Sequence, residues 1–263
     1  MSSQLAVQMY TVRDFTRTSE GLAATLAKIR TTGYDAVQLS AVGAMDGDSP
    51  EVDVSSARRM LEDNGLRCIA THRSWHDLVQ ATDREIEFHR ILNCDFTAIG
   101  GIPNEYMEHG ANGFRRFVED SAPTIGRLKE AGIRFGYHNH AFEFMRSGDG
   151  CQTLYDILID AKNPDLLLEL DVYWAQHAGV NPVRLLERCH GRMPVIHLKD
   201  KEISEEGQPV MAPIGEGNLD WQEIVPACQA AGVEWYAVEQ DSCRRDPFDC
   251  LRSSFEFLTG MGL

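Results

Sequence analysis

Short apolar runs alternate with amphipathic stretches of helical period from one end of the chain to the other. The runs fall at 5–10, 35–39, 67–72, 95–100, 133–140, 166–171, 194–199 and 235–240. Their average spacing of about thirty residues accommodates a strand, a helix and two loops. Runs this continuous in Val, Ile, Leu, Phe and Tyr suit strands buried on both faces, and their alternation with helical segments is the mark of repeated βα units. Punctuation between the runs agrees. Thr18-Ser19-Glu20 opens a helix running to Gly33, Asn64-Gly65 ends one beginning near Glu51, and Ala131-Gly132 and Ala231-Gly232 repeat that stop one or two residues before the next strand.

Eight such units predict a closed barrel of the α/β class, a single (β/α)8 TIM barrel domain over residues 1–263. A doubly wound open sheet has the same periodicity. However, Tyr10-Thr11-Val12-Arg13-Asp14 stands after the first run where a Gly-rich turn would be needed, which argues against a dinucleotide site. Between the seventh and eighth runs, Ile214-Gly215-Glu216-Gly217-Asn218-Leu219-Asp220-Trp221 reads as a tight loop feeding a helix capped by Asp220.

Composition narrows the partners. A chain of 263 residues that is 43% apolar has material for one large core, and no Pro-, Ser- or Gly-rich stretch marks a linker. The formal charge of −15 disfavours nucleic acid, whose binding rests on Lys and Arg neutralising phosphates. No basic segment followed by a long apolar run opens the chain, and no stretch approaches the roughly 18 apolar residues of a membrane helix. The expectation is a cytoplasmic protein without a membrane partner; a homo-oligomer is compatible with the sequence and not specified by it. Seven scattered cysteines, never at CxxC spacing, read as reduced thiols rather than a disulfide framework or a zinc knuckle.

In a barrel of this kind the chemistry lies where the strands end. The third run ends at His72. The fifth carries His138, Asn139 and His140, with Glu143 following, and alternation puts His138 and His140 on one face. Asp171 closes Leu166-Leu167-Leu168-Glu169-Leu170; an acid there also reads as a helix N-cap, but Tyr173 and Trp174 follow and would wall a pocket. His197 and Lys199 share one face of the seventh run, with Asp200 on the other. Glu239 ends the eighth, and Asp241 projects to the same side. Imidazole and carboxylate groups in this mixture suit one divalent cation, with Mn²⁺ favoured by the oxygen-rich set and Mg²⁺, Co²⁺ or Zn²⁺ compatible.

Taken together, Val7 to Asp14, His138 to Phe144, Leu170-Asp171-Val172-Tyr173-Trp174, His197-Leu198-Lys199-Asp200, Gly215-Glu216-Gly217 and Val238-Glu239-Gln240-Asp241 make the chain resemble the sugar phosphate isomerase/epimerase family, the xylose isomerase-like barrels, over essentially its whole length. The resemblance implies one divalent metal held by an acid on strand five, Asp171, His197 and Glu239. Strand five departs from the pattern: His138 occupies the expected Glu position, so the fourth ligand is His138 itself or, preferred here, Glu143 reaching back. The resemblance also implies proton abstraction beside the carbonyl of a keto-sugar or polyol ketone through an enediolate. Glu239 and His140 or His138 would move protons, Lys199 would steady the negative oxygen, and His72 and Trp174 would contact the sugar. Isomerisation or epimerisation is the first expectation. Elimination, as in the inosose dehydratases and 3-keto-glycoside lyases that the His-Asn-His variant is similar to, is the alternative, and a barrel that binds sugar without turnover is a third. An endonuclease on the same fold fits poorly with so acidic a chain.

Overall fold

The computed structural model describes residues 4–148 and 150–263. Every predicted run contributes one strand to a parallel sheet: β1 (Leu5–Gln8), β2 (Ala36–Leu39), β3 (Arg67–His72), β4 (Phe96–Ile99), β5 (Arg134–His138), β6 (Leu166–Glu169), β7 (Val195–Leu198) and, after the hairpin strands β8 (Asp200–Ile203) and β9 (Pro209–Ala212), β10 (Trp235–Val238). The sheet order is β6-β5-β4-β3-β2-β1-β10-β7. Its two ends meet through a parallel bridge between Asp171 and His197, with the His197 N–H donating to Leu170 O at 2.9 Å. The result is a single eight-stranded, nearly closed barrel with helices between the strands.

Alternation along each strand divides the apolar residues into two cores. Leu5, Val7, Val37, Tyr137, Leu168, Ile196 and Val238 point outward into a large core shared with the helices. Ala6, Ala36, Ala70, Phe96, Ala98, Val195 and Ala237 point inward and close the lower barrel. Two residues further along the same strands the inward positions become polar: Gln8, Gln38, His72, His138, Glu169, His197 and Glu239. An apolar plug thus turns into a polar floor within one strand repeat.

Local chemistry refines several expected boundaries. The first run stops as a strand at Gln8, because its side-chain Oε1 accepts the Tyr10 N–H at 2.6 Å and the chain turns into a 3₁₀ helix over Met9–Phe15. The first long helix, Ser19–Thr32, is capped by Thr18 and closed by Gly33 at φ 119°, as its sequence predicts. The next begins at Val54 rather than near Glu51, since Asp53 accepts the Ser56 N–H at 2.7 Å.

The β8–β9 hairpin is absent from the sequence reading, for Asp200-Lys201-Glu202-Ile203 lacks an apolar alternation. What organises it is Asp200. This buried carboxylate accepts the backbone N–H groups of Lys201 (2.7 Å), Gly215 (2.9 Å), Gly217 (3.1 Å) and Leu219 (3.2 Å) and the Trp221 indole N–H (2.6 Å). Asp220 sits at the N-cap position of the helix Trp221–Ala230 but makes no capping bond with its side chain.

Inside the plug, β5 passes the Phe96 ring at Gly136, where a Cβ would lie 2.5 Å from the ring. Gly136→Ala is therefore expected to cost about 1–3 kcal/mol through overpacking. Urea denaturation checks this: the midpoint should fall with an unchanged slope, and an unaltered midpoint would show that the strand has room to move.

Candidate active site

Glu169 lies at the centre of the polar floor, completely buried. Its Oε1 accepts the Gln38 amide N–H at 2.8 Å. Its Oε2 lies 2.5 Å from His72 Nε2, 3.2 Å from His197 Nε2 and 3.5 Å from His138 Nδ1. Burial alone would raise the pKa of this acid, but His197 and His72 outweigh it and hold the group at about 2. The sequence analysis counts Glu169 within the apolar run that Asp171 closes and gives it no role. The signal was present: a charged residue inside a strand buried on both faces requires partners, and Glu169 shares its face with Asp171.

Above the floor stands a denser group of charges. His197 Nδ1 lies 2.8 Å from Glu239 Oε2, while its Nε2 is 2.7 Å from Gln38 Oε1. Burial would lower this imidazole's pKa, yet Glu169 and Glu239 raise it to about 10. Lys199 is 2% exposed, with Nζ 3.0 Å from Asp171 Oδ2, 2.9 Å from Glu239 Oε2 and 3.0 Å from Asp241 Oδ1. Burial works against the ammonium, and the three carboxylates more than restore it. Glu239, despite burial, is held well below the usual carboxylate range by Lys199 and His197.

Asp171 caps a helix with one oxygen and turns the other inward. Its Oδ1 accepts the Trp174 N–H at 3.1 Å and caps the short helix Val172–His177, while Oδ2 faces the site. That Oδ2 is near enough to Lys199 for ion pairing but has no hydrogen-bond partner among the described residues. The same holds for the buried His138 Nδ1. Burial raises Asp171, and burial together with Glu239 lifts Asp241 to about 6.

These observations fit a cation. Four carboxylates, those of Glu169, Asp171, Glu239 and Asp241, surround two cationic side chains, His197 and Lys199, and the buried Asp171 Oδ2 and His138 Nδ1 make no hydrogen bond among the described residues. Ligand atoms within 4.8 Å of one another come from Asp171, His197 and Glu239, and from His72, His138, Glu169 and His197. Mixed carboxylate and imidazole donors suit a divalent ion.

Of the two strand-five alternatives, His138 is the one found in a ligand group, that of His72, Glu169 and His197. Its Nε2 is 4.0 Å from Asp171 Oδ2, and burial, then His197, pushes its pKa well down. Glu143, the preferred ligand in the sequence reading, is held elsewhere: its Oε1 accepts the Tyr137 hydroxyl at 2.9 Å and its Oε2 the His140 N–H at 2.8 Å. It stands outside both ligand groups, and burial raises it to about 7.

A cavity of about 270 Å³ opens over the charges, lined by Gln8, Tyr10, Ser40, His72, Gly100, His138, His140, Lys199, Glu239 and Asp241. His140, brought to about 4 by burial and then Lys199, faces it as a neutral imidazole. Trp174 is not among the lining residues. It packs on His140 at 5.5 Å between ring centroids and lies 5.8 Å from Lys199 Nζ.

A family signature described as the xylose isomerase-like TIM barrel matches residues 26–260. The chain belongs to that family. Solved xylose isomerase-like barrels and their kin superpose on it throughout. A sugar phosphate isomerase/epimerase from Parabacteroides distasonis is 20% identical with a TM-score of 0.79, covering 98% of this chain and 94% of that one. A probable 3-DHS dehydratase from Bacillus anthracis is 12% identical with a TM-score of 0.74, covering 98% and 99%. An L-ribulose 3-epimerase is 16% identical with a TM-score of 0.71, covering 98% and 94%. In sequence, an inosose dehydratase from Clostridium beijerinckii is 26% identical over 155 residues, which is 51% of this chain and 50% of that protein. The match thus spans about half the length of that curated relative. No helix among the described residues is long and apolar enough to cross a membrane.

For this xylose isomerase-like barrel the His197 ion pairs set a pH dependence. Its folded pKa of about 10 exceeds the ordinary value near 6.5, so the stability it contributes is complete below about pH 6.5 and is lost as pH rises through about 10. Chelated wild-type protein should therefore lose thermal stability over that interval more steeply than chelated His197→Gln; parallel profiles would show that His197 is neutral in the fold.

Proposed function

We propose that the protein is a divalent-metal-dependent enzyme that removes a proton next to the carbonyl of a keto-sugar or polyol ketone, as a sugar isomerase or epimerase. The observation that carries this reading is the excess of carboxylates over cationic side chains, with Asp171 Oδ2 and His138 Nδ1 making no hydrogen bond among the described residues, beneath a cavity of about 270 Å³. Asp171, His197 and Glu239 would hold the cation, with His138 in the strand-five place. Mn²⁺ is the first candidate, and Mg²⁺, Co²⁺ or Zn²⁺ are compatible with this set of two carboxylates and two imidazoles. A bound cation supplies positive charge beside the substrate oxygens and lowers the cost of the enediolate formed when the proton leaves.

His140 is unprotonated above about pH 4 and lines the cavity, so it can accept the proton. Asp241, lifted to about 6 and also lining the cavity, can return one. Glu239 is assigned to the cation rather than to proton transfer, because Lys199 and His197 hold it too acidic for a base at neutral pH. Lys199 brings a permanent positive charge to the developing negative oxygen. His72 contributes to the cavity wall beneath the sugar, and Trp174 backs His140. A small-molecule sugar in a cytoplasmic setting completes the reading.

One observation favours elimination as a second reading. His138 replaces the strand-five acid, leaving the cavity without a pair of opposed glutamates, and the sequence relative is named an inosose dehydratase. The same proton abstraction followed by loss of a β-hydroxyl would make the protein a dehydratase or lyase.

Metal analysis before and after chelation, with Asp171→Ala beside wild type, is the first test. About one Mn, Co or Zn per chain, lost in the variant, is expected, and wild type should then exchange a ketose or inosose α-proton in D₂O. His140→Ala should keep its metal and lose exchange about 10²- to 10⁴-fold. Absence of metal even after reloading would refute the proposal, and release of water would select the second reading.

A further inference from the structure

Gln38 is fully buried, and none of the expected roles includes it. It belongs to β2, with β1 and β10 intervening along the sheet between it and β7, so it reaches His197 across the barrel interior. Its amide has one donating and one accepting end. The Nε2 end lies 2.8 Å from Glu169 Oε1, and an ionised carboxylate only accepts. The amide N–H therefore faces Glu169, and the carbonyl Oε1 faces His197 Nε2 at 2.7 Å. A carbonyl oxygen also only accepts, so His197 Nε2 carries a proton. Glu169 Oε2, 3.2 Å from the same nitrogen, imposes the same requirement.

We propose that Gln38 is a positioning residue that, together with Glu169, fixes the proton of His197 on Nε2 and so reserves Nδ1 for the cation. The inference rests on the metal-dependent reading above and deepens it. Nδ1 faces Glu239 Oε2 at 2.8 Å, so the ion belongs with Asp171, His197 and Glu239. It is excluded from the lower group, where His197 would have to offer Nε2. Glu169 is then not a ligand but the buried charge that orients His72, His197 and Gln38 from below, an arrangement that fixes ring orientation and strengthens a metal-binding imidazole.

The test uses the full chain labelled with ¹⁵N-histidine and loaded with Zn²⁺ as a diamagnetic probe. Long-range proton–nitrogen correlation spectra of wild type should show His197 protonated on Nε2, with Nδ1 shifted by the metal. Gln38→Met should weaken Zn²⁺ binding by about 10- to 100-fold and broaden or mix the His197 pattern while the other histidines are unchanged. The wild-type spectrum decides the tautomer whether or not the variant folds, and Gln38→Asn provides a second, amide-retaining substitution of shorter reach. A metal-bearing wild type with His197 protonated on Nδ1, or a folded Gln38→Met that keeps both affinity and pattern, overturns the Gln38 role and leaves the metal-dependent reading standing. Failure of wild type to bind either Zn²⁺ or Mn²⁺ overturns both.

Discussion

Everything at the mouth of this barrel follows from placing three carboxylates, those of Glu169, Asp171 and Glu239, where water cannot solvate them. In a low-dielectric interior each charge must find opposite charge or hydrogen-bond donors, or give up its ionisation. Lys199 and His197 answer part of the demand, and Gln38 and the Asp171 helix cap supply further hydrogen-bonded order. The remaining imbalance is visible in the protons that Asp171 and Asp241 hold more tightly than ordinary acids. A site with that imbalance is prepared for positive charge before any ligand arrives.

The scaffold can carry such a load because the charges enter only after the plug is complete. Ala6, Ala36, Ala70 and Ala237 let the lower strands approach while Phe96 fills the axis. Further along, every barrel strand but β4 presents a polar group to the same axis. Outward-facing Val, Leu, Ile and Tyr residues anchor the strands to the helices at the same heights, so burying polarity inside does not sacrifice the outer core.

The strands were legible in the sequence because parallel strands covered on both faces write long apolar runs, and every run became a barrel strand. The ends of those runs named the residues that gather: His138, Asp171, His197, Lys199 and Glu239. What escaped lies inside the runs. Gln38 and Glu169 interrupt apolar segments, and only the closed barrel shows that residues 131 positions apart share a hydrogen bond. Glu143 differs from its expected place for the opposite reason: proximity in sequence suggests a return to the site, whereas the turn after β5 gives its oxygens to Tyr137 and the His140 backbone. The hairpin escaped because its first strand is short and mostly polar and is anchored through its own leading carboxylate, Asp200, which leaves no periodic trace.

Asp200 separates two functions that adjoin in the chain. His197 and Lys199 face inward, whereas Asp200 ties down the segment from Gly215 to Trp221. Both feet of the β8–β9 ribbon are thereby fixed, with Asp200 opposite Ala212, while its tip between Ile203 and Pro209 bears none of that anchoring. Natural variation in the length or chemistry of the tip can accumulate there without moving the inward residues. The clamp makes the ribbon a replaceable module beside a fixed set of inward residues, and a natural place for directed evolution to begin.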